Sequence, residues 1–165
     1  MGMRRQDREI RDLGQLHAVL AAARVCRLGL NDGEWPYVVP VSFGWEPGRI
    51  FFHGALTGHK QDLLERDPRV CCEFEADVRL VTDPERACRW TFAYRSVIAR
   101  GRAERLTDAA AVRHGLGCIM RQYSGGSWSF PDEQLERVVV WRVDLETITG
   151  KESLQKPPPP ASETT

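Results

Sequence analysis

The chain has 165 residues, with 23 basic and 23 acidic side chains and a formal net charge of zero. That length is enough for one domain with a real core, and the charge balance gives no electrostatic case for nucleic acid or an anionic membrane as partner. No apolar run approaches the eighteen or more residues of a membrane-spanning helix, and the charged start "MGMRRQDREI" lacks the apolar core of a signal segment.

These features predict a cytoplasmic protein, with residues 1–155 forming one domain. The five cysteines, at 26, 71, 72, 88 and 118, form no C-x-x-C pair. Neither a disulfide framework nor a metal site is expected, and the thiols read as small apolar residues. Cys71 and Cys72 should point to opposite faces of one strand.

In chain order, Asp7 is placed to cap a helix whose apolar positions are Ile10, Leu13, Leu16 and Leu20. His17 lies beside that stripe. "RVCRLGL" alternates as a strand does, "NDG" marks a turn, and "PYVVPVSFGW" reads as the partner strand. Pro40 cannot donate to a ladder, so that strand should carry an edge or a bulge. "EPG" makes the next turn and "RIFFHGA" the third strand. "TGHKQDLLERDP" is a short helix stopped at Pro68, followed by the strand "RVCCEFEA" and a looser segment, "DVRLVTDPERAC".

The long run "RWTFAYRSVIARGRAERL" is rich in strand formers, with a bend or bulge expected at Gly101. Thr107 or Asp108 caps a second helix, "AAAVRHGLGCIMRQY", and "SGGSWSFPDEQ" reads as a loop. "RVVVWRVDLETITG" is the last strand, and residues 156–165, "KPPPPASETT", form a proline-rich tail expected to be disordered. Many short antiparallel strands with few helices predict a mainly β (α+β) fold, a closed or nearly closed barrel with helices outside. A two-sheet sandwich is the alternative that periodicity leaves open.

The junction "HGALTGHKQDLL" carries the chemistry. A helix starting near Gly58 or His59 presents backbone N–H groups without partners and the positive end of its dipole. Gly58 permits close approach, Thr57 offers a hydroxyl, Lys60 a charge and His59 a further donor. Together they can seat a phosphate, although the G-x-x-x-x-G-K-[ST] loop of nucleoside triphosphatases is missing.

In this order and spacing, "MRRQDREI", "PYVVPVSFGWE", "IFFHGALTGHKQDLLERDPRVCCEFE", "YRSVIARGRAERL" and "VVVWRVDLETITGK" resemble the pyridoxamine 5′-phosphate oxidase-like flavoproteins. The branch most similar is the one named for nitroimidazole resistance. The resemblance implies a split β-barrel of antiparallel strands that pairs as a homodimer and holds FMN between the subunits. It implies that Val39, Pro40, Val41 and Ser42 run along the flavin ring and that His53, Gly54 and Ala55 line the cleft. Thr57, His59 and Lys60 would hold the FMN phosphate. Ser96 and Val97 would approach the flavin, and Trp141 would close the pocket. His53 is the candidate catalytic group, because an imidazole titrates near working pH. Tyr94, Arg95 and Arg100 stand nearby in sequence as candidates for stacking on a ring or attracting an anion.

Two departures bear on substrate. The oxidase itself usually has arginine where this chain has His59, and its carboxy-terminal "W-Q-G" and "R-L-H-D-R" segments are missing here. Vitamin B6 oxidation is therefore not expected. The implied activity is reduction of a small, electron-poor acceptor such as a nitroheterocycle. A deazaflavin-dependent reductase remains open. So does a non-enzymatic haem- or flavin-binding protein, with His53 or His59 as a possible axial ligand.

Overall fold

A computed structural model describes residues 6–153. The proline-rich segment, 156–165, lies outside the described residues. A 3₁₀ turn at Gln6–Arg8 leads into strand β1, Glu9–Ile10, and then helix α1, Leu13–Ala22. The cap of α1 is Asp12, whose side chain accepts from the Gln15 backbone N–H at 2.8 Å. This corrects the expectation for Asp7. Ile10 belongs not to the helix but to a two-residue strand paired with Gly150. Of the four apolar positions, Ile10, Leu16 and Leu20 are buried, whereas Leu13 is 56% exposed in the first turn.

Strands β2, Cys26–Asp32, and β3, Trp35–Val41, form the hairpin around "NDG". The expected single strand over 36–45 is divided at Ser42. After it comes β4, Phe43–Glu46, which pairs with β5, Arg49–Gly54, and not with β2. Helix α2, His59–Arg66, precedes β6, Arg69–Val81. β6 continues five residues past the expected end through an irregularity between Ala76 and Arg79, where Asp77 takes φ 57°. The looser segment is thus partly strand, closed by a 3₁₀ turn at Ala87–Arg89.

Next come β7, Thr91–Arg105, helix α3, Ala109–Ser124, a short helix α4, Asp132–Leu135, and β8, Val139–Ser153. Asp108 caps α3 by accepting from the Ala111 N–H at 2.9 Å. The bend expected at Gly101 is present as a register shift between Arg100 and Gly101, where an added Cβ would lie 2.1 Å from the Asp144 carbonyl oxygen.

All strand pairings are antiparallel, and the sheet runs β3-β2-β6-β7-β8-β5-β4, with β1 on the far end of β8. Its two terminal strands, β3 and β4, are consecutive in sequence and separated by Ser42 alone. One residue spans only about 3.5 Å, so the sheet must curl until its ends meet. They meet through the chain, not through a ladder. The result is the split barrel, not a sandwich and not a closed cylinder.

The main core fills the barrel with Leu28, Phe43, Ile50, Phe52, Phe74, Val97 and Trp141 among others. A second cluster lies outside the wall, where α3 covers Phe51 and Val140 with Val112, Leu116, Cys118 and Ile119. This explains the unbroken apolar runs "IFF" and "VVVW": strands covered on both faces need no alternation. On β6 the alternation persists, with Cys72 buried and Cys71 partly exposed, as expected.

Candidate functional site

The β5–α2 junction sits at one rim of the barrel. β5 ends with His53 and Gly54, laddered to Val140 and Val139 of β8. Residues 55–58 cross the rim, and α2 begins at His59. Gly58 takes φ 133°, ψ 164°, a conformation that favours glycine, and no side chain caps the helix. Its carbonyl accepts from the Gln61 and Asp62 N–H groups at 2.8 and 3.2 Å. The amides at the start of α2 therefore lack a side-chain partner, and the helix dipole adds to their attraction for an anion.

Lys60 does not extend into solvent. Its Nζ reaches back to the His53 carbonyl oxygen at 3.4 Å and stands 5.5 Å from the Phe52 ring centre. Half-burial pushes its ammonium below the usual lysine range. A partly desolvated cation of this kind gains when an anion arrives.

His53 shares its sheet face with Phe51. Its Nδ1 is buried and has no hydrogen-bond partner in the protein. Burial, and then the charge of Lys60, hold the imidazole below its ordinary value. The neutral ring keeps one nitrogen as an acceptor and one as a donor.

Three residues not singled out in the sequence organise this rim. Gln61, only 4% exposed, donates from Nε2 to the Ala55 carbonyl at 2.8 Å and accepts from Trp141 Nε1 at 2.7 Å. Trp141 is therefore a buried core side chain that fixes the 55–58 connection through Gln61. Asp32 binds His59 Nε2 at 2.8 Å and Arg66 at 3.4 Å. Tyr37 meets the His59 ring edge-on at 5.0 Å. His59 thus ties α2 to the β2–β3 hairpin. The signal for Gln61 was available: it falls three residues before Leu64, on the buried stripe of α2. Asp32 and Tyr37 carried no such mark.

The site residues expected from sequence therefore fall into groups. His53, Gly54, Ala55 and Lys60 meet directly, and Trp141 reaches them through Gln61. Thr57 is exposed on the same connection, and His59 is committed to Asp32. On β3, Val39 packs partly against the core, Val41 is buried and Pro40 is exposed, and Ser42, between β3 and β4, is exposed. Ser96 lies on β7 between Glu75 and Lys151, and Val97 is fully buried in the core. Among the described residues, no hydrogen bond joins Val39–Ser42 or Ser96–Val97 to His53 or Lys60 within one chain.

An anionic cofactor fits this rim on two grounds. The start of α2 has no side-chain cap, and its first turn carries the half-buried cation Lys60, for whose end Gly54 leaves room: a Cβ there would come within 3.0 Å of Nζ.

A curled antiparallel sheet of this order defines the split-barrel class of fold. Within that class the chain belongs to the pyridoxamine 5′-phosphate oxidase family, whose profile matches residues 12–152. Among solved structures it is similar to a candidate 5-nitroimidazole antibiotic resistance protein from Bacteroides thetaiotaomicron, at 32% identity, TM-score 0.78, covering 87% of this chain and 86% of that one. The flavocytochrome Anf3 from Azotobacter vinelandii (22% identity, TM-score 0.81, 96% and 75% covered) and an FAD- and haem-binding protein from Mycobacterium smegmatis (17%, 0.81, 92% and 76%) share the fold. No curated protein sequence matches significantly. Among the described residues no helix is long and apolar enough to cross a membrane.

Proposed function

We propose that the protein binds FMN at this rim and acts as an oxidoreductase on a small, flat, electron-poor acceptor such as a nitroheterocycle. The observation that carries the reading is Lys60, half-buried beside the uncapped start of α2 and folded back over the end of β5. The likeness to the nitroimidazole resistance protein supports the acceptor class.

In this reading Lys60 and the amides of residues 57–60 hold the terminal phosphate, with Thr57 as a further donor. A bound flavin supplies the two-electron chemistry, which no side chain here can provide. Trp141 and Gln61 keep the connection at Ala55 rigid, so that the phosphate seat and His53 hold a fixed separation. His53, neutral and half-buried with Nδ1 unpartnered, holds or delivers a proton at the rim. Its lowered basicity keeps it from being permanently charged at neutral pH. Val39–Ser42 supply backbone for the ring, and a second copy of the chain brings Ser96 to the cleft, with Val97, buried in its own core, contributing only backbone there.

The test is to purify the protein, denature it and identify the released chromophore by mass. FMN is expected. Release of haem, or a colourless chain that takes up only deazaflavin, would replace this reading. Lys60→Ala should weaken FMN retention roughly tenfold or more, as expected for loss of one charge-assisted phosphate contact. Unchanged affinity would remove Lys60 from the seat.

A further inference from the structure

A second cluster lies on the outside of the barrel, away from the β5–α2 rim, where α3 crosses β4. His114 and Cys118 are four residues apart on α3 and so share one face. Glu46 at the end of β4 projects toward them. His114 Nε2 stands 2.9 Å from Glu46 Oε2 and 3.6 Å from Cys118 Sγ, and Sγ stands 4.0 Å from the same Glu46 oxygen. Three donor atoms of three chemical types thus form one small triangle.

This triangle is not a proton relay. In a relay the two ring nitrogens face opposite partners. Here Nε2 alone is the near atom to both the carboxylate and the thiol. Three donor atoms this close to one another are what a cation requires. Tetrahedral Zn²⁺ with ordinary bond lengths separates its S, N and O ligands by roughly 3.3–3.6 Å, and the three spacings here lie within about 0.5 Å of those values.

Neighbouring groups prepare the donors. Arg121 donates to Cys118 Sγ at 2.9 Å and partly offsets the burial that raises the thiol, so Cys118 gives up its proton only as the ion binds. Arg49 donates to Glu46 Oε1 at 3.3 Å, leaving Oε2 turned to the cluster. The Phe51 ring meets His114 edge-on, 5.6 Å between centres. Such outer contacts orient metal ligands. Cys118 forms the floor at 2% exposure, while the His114 side chain is about half exposed, so an ion can enter from solvent and keep a water as fourth ligand.

We propose that Glu46, His114 and Cys118 form a binding site for a thiophilic divalent cation of the Zn²⁺ class. Thiolate, imidazole and carboxylate together suit Zn²⁺ better than Mg²⁺ or Ca²⁺, which take oxygen ligands. Binding forms bonds from Sγ, Nε2 and Oε2 to the ion, and the Cys118 proton leaves to solvent. One thiolate and one carboxylate neutralise the two charges of the ion. No electron is transferred.

The site is independent of the flavin reading and is tested on the full chain after dialysis against a chelator. Titration with Co²⁺ should produce a thiolate-to-cobalt absorption band, and calorimetry with Zn²⁺ should show one ion bound per chain. Cys118→Ser should abolish the band, and His114→Ala and Glu46→Gln should weaken Zn²⁺ binding roughly tenfold or more. Cys88→Ser, which removes an exposed thiol elsewhere, and Lys60→Ala should leave binding unchanged. Because His114 is exposed, His114→Ala should fold even where Cys118→Ser does not, and it decides the question alone. No saturable Zn²⁺ binding, or binding unaltered in His114→Ala, would overturn the site.

Discussion

His53 is held below its ordinary value by two causes, and their order can be tested. Burial is the larger and the positive charge of Lys60 the smaller. Lys60→Met removes the second and leaves the first. The expected outcome is a His53 titration, followed by NMR, that moves up yet stays below the usual imidazole value of 6.5. Full return to 6.5 would make Lys60 the dominant cause. The stability consequence has a definite sign. A lowered folded value means that the unfolded chain binds the extra proton first, so stability falls as pH drops through 6.5 toward the folded value. His53→Gln should lose this part of the acid sensitivity, measured as the fall in Tm between neutral and mildly acidic pH. At Gln61 the effect is one of unmet hydrogen bonds. Gln61→Leu strands the buried Trp141 N–H and frees the Ala55 carbonyl, at a cost of about 1–3 kcal/mol. Denaturant unfolding should show this as a lower midpoint with an unchanged slope.

Among the elements, α3 shows most clearly how one residue sets a contact. An added Cβ at Gly44 would lie 2.2 Å from the Cys118 carbonyl carbon and 2.3 Å from the Ile119 nitrogen. The helix backbone therefore rests directly on β4, and only glycine permits it. Gly44→Ala should destabilise by about 1–3 kcal/mol through forced separation of α3 from the wall. It should also spread the Glu46–His114–Cys118 cluster and weaken Zn²⁺ binding, while flavin retention at the opposite rim of β5 is kept. Parallel loss of both would indicate global unfolding. Helix α2 is positioned differently, by side chains. Asp32 holds His59 and Arg66, and Asn31 donates to Asp67 at 3.3 Å. Asp67 in turn accepts from the Arg69 guanidinium and backbone, which keeps its carboxyl well below the usual carboxylate range. The hairpin of β2 and β3 thus latches the helix whose start forms the proposed phosphate seat.

The whole molecule leaves an unfilled face. Trp35 is 72% and Val38 61% exposed beside a groove of about 520 Å³ lined also by Gly29, Tyr37 and Cys71. Ile98 of β7 is exposed as well. A second copy of the chain is the proposed occupant, in keeping with the reading that Ser96 of a partner faces the cleft. Light scattering should then give twice the 18.7-kDa chain mass, and Val38→Glu should shift the population toward the monomer. A monomeric native chain that retains flavin would separate cofactor binding from pairing.

Local sequence determined the strands with strong turn signals, the cap of α3 to within Thr107 or Asp108, the bulge at Gly101, the opposite facing of Cys71 and Cys72, and the glycine-led start of α2. Each depends on backbone preference or on a period of two or 3.6 within a few residues. What it misread needed a distant partner. Asp7 and Asp12 are both good caps by type, and the choice fell to Asp12 because Ile10 is drawn into pairing with Gly150, 140 positions away. The division at Ser42 was hidden because β3 and β4 look continuous until their different partners, β2 and β5, are known. The contact of His59 with Asp32 was likewise hidden, because 27 positions separate them in the chain. Glu46, His114 and Cys118 carried only the four-residue spacing of the last two. Tertiary structure alone supplied the carboxylate, because closing the barrel and laying α3 on Gly44 are long-range events that no local pattern encodes.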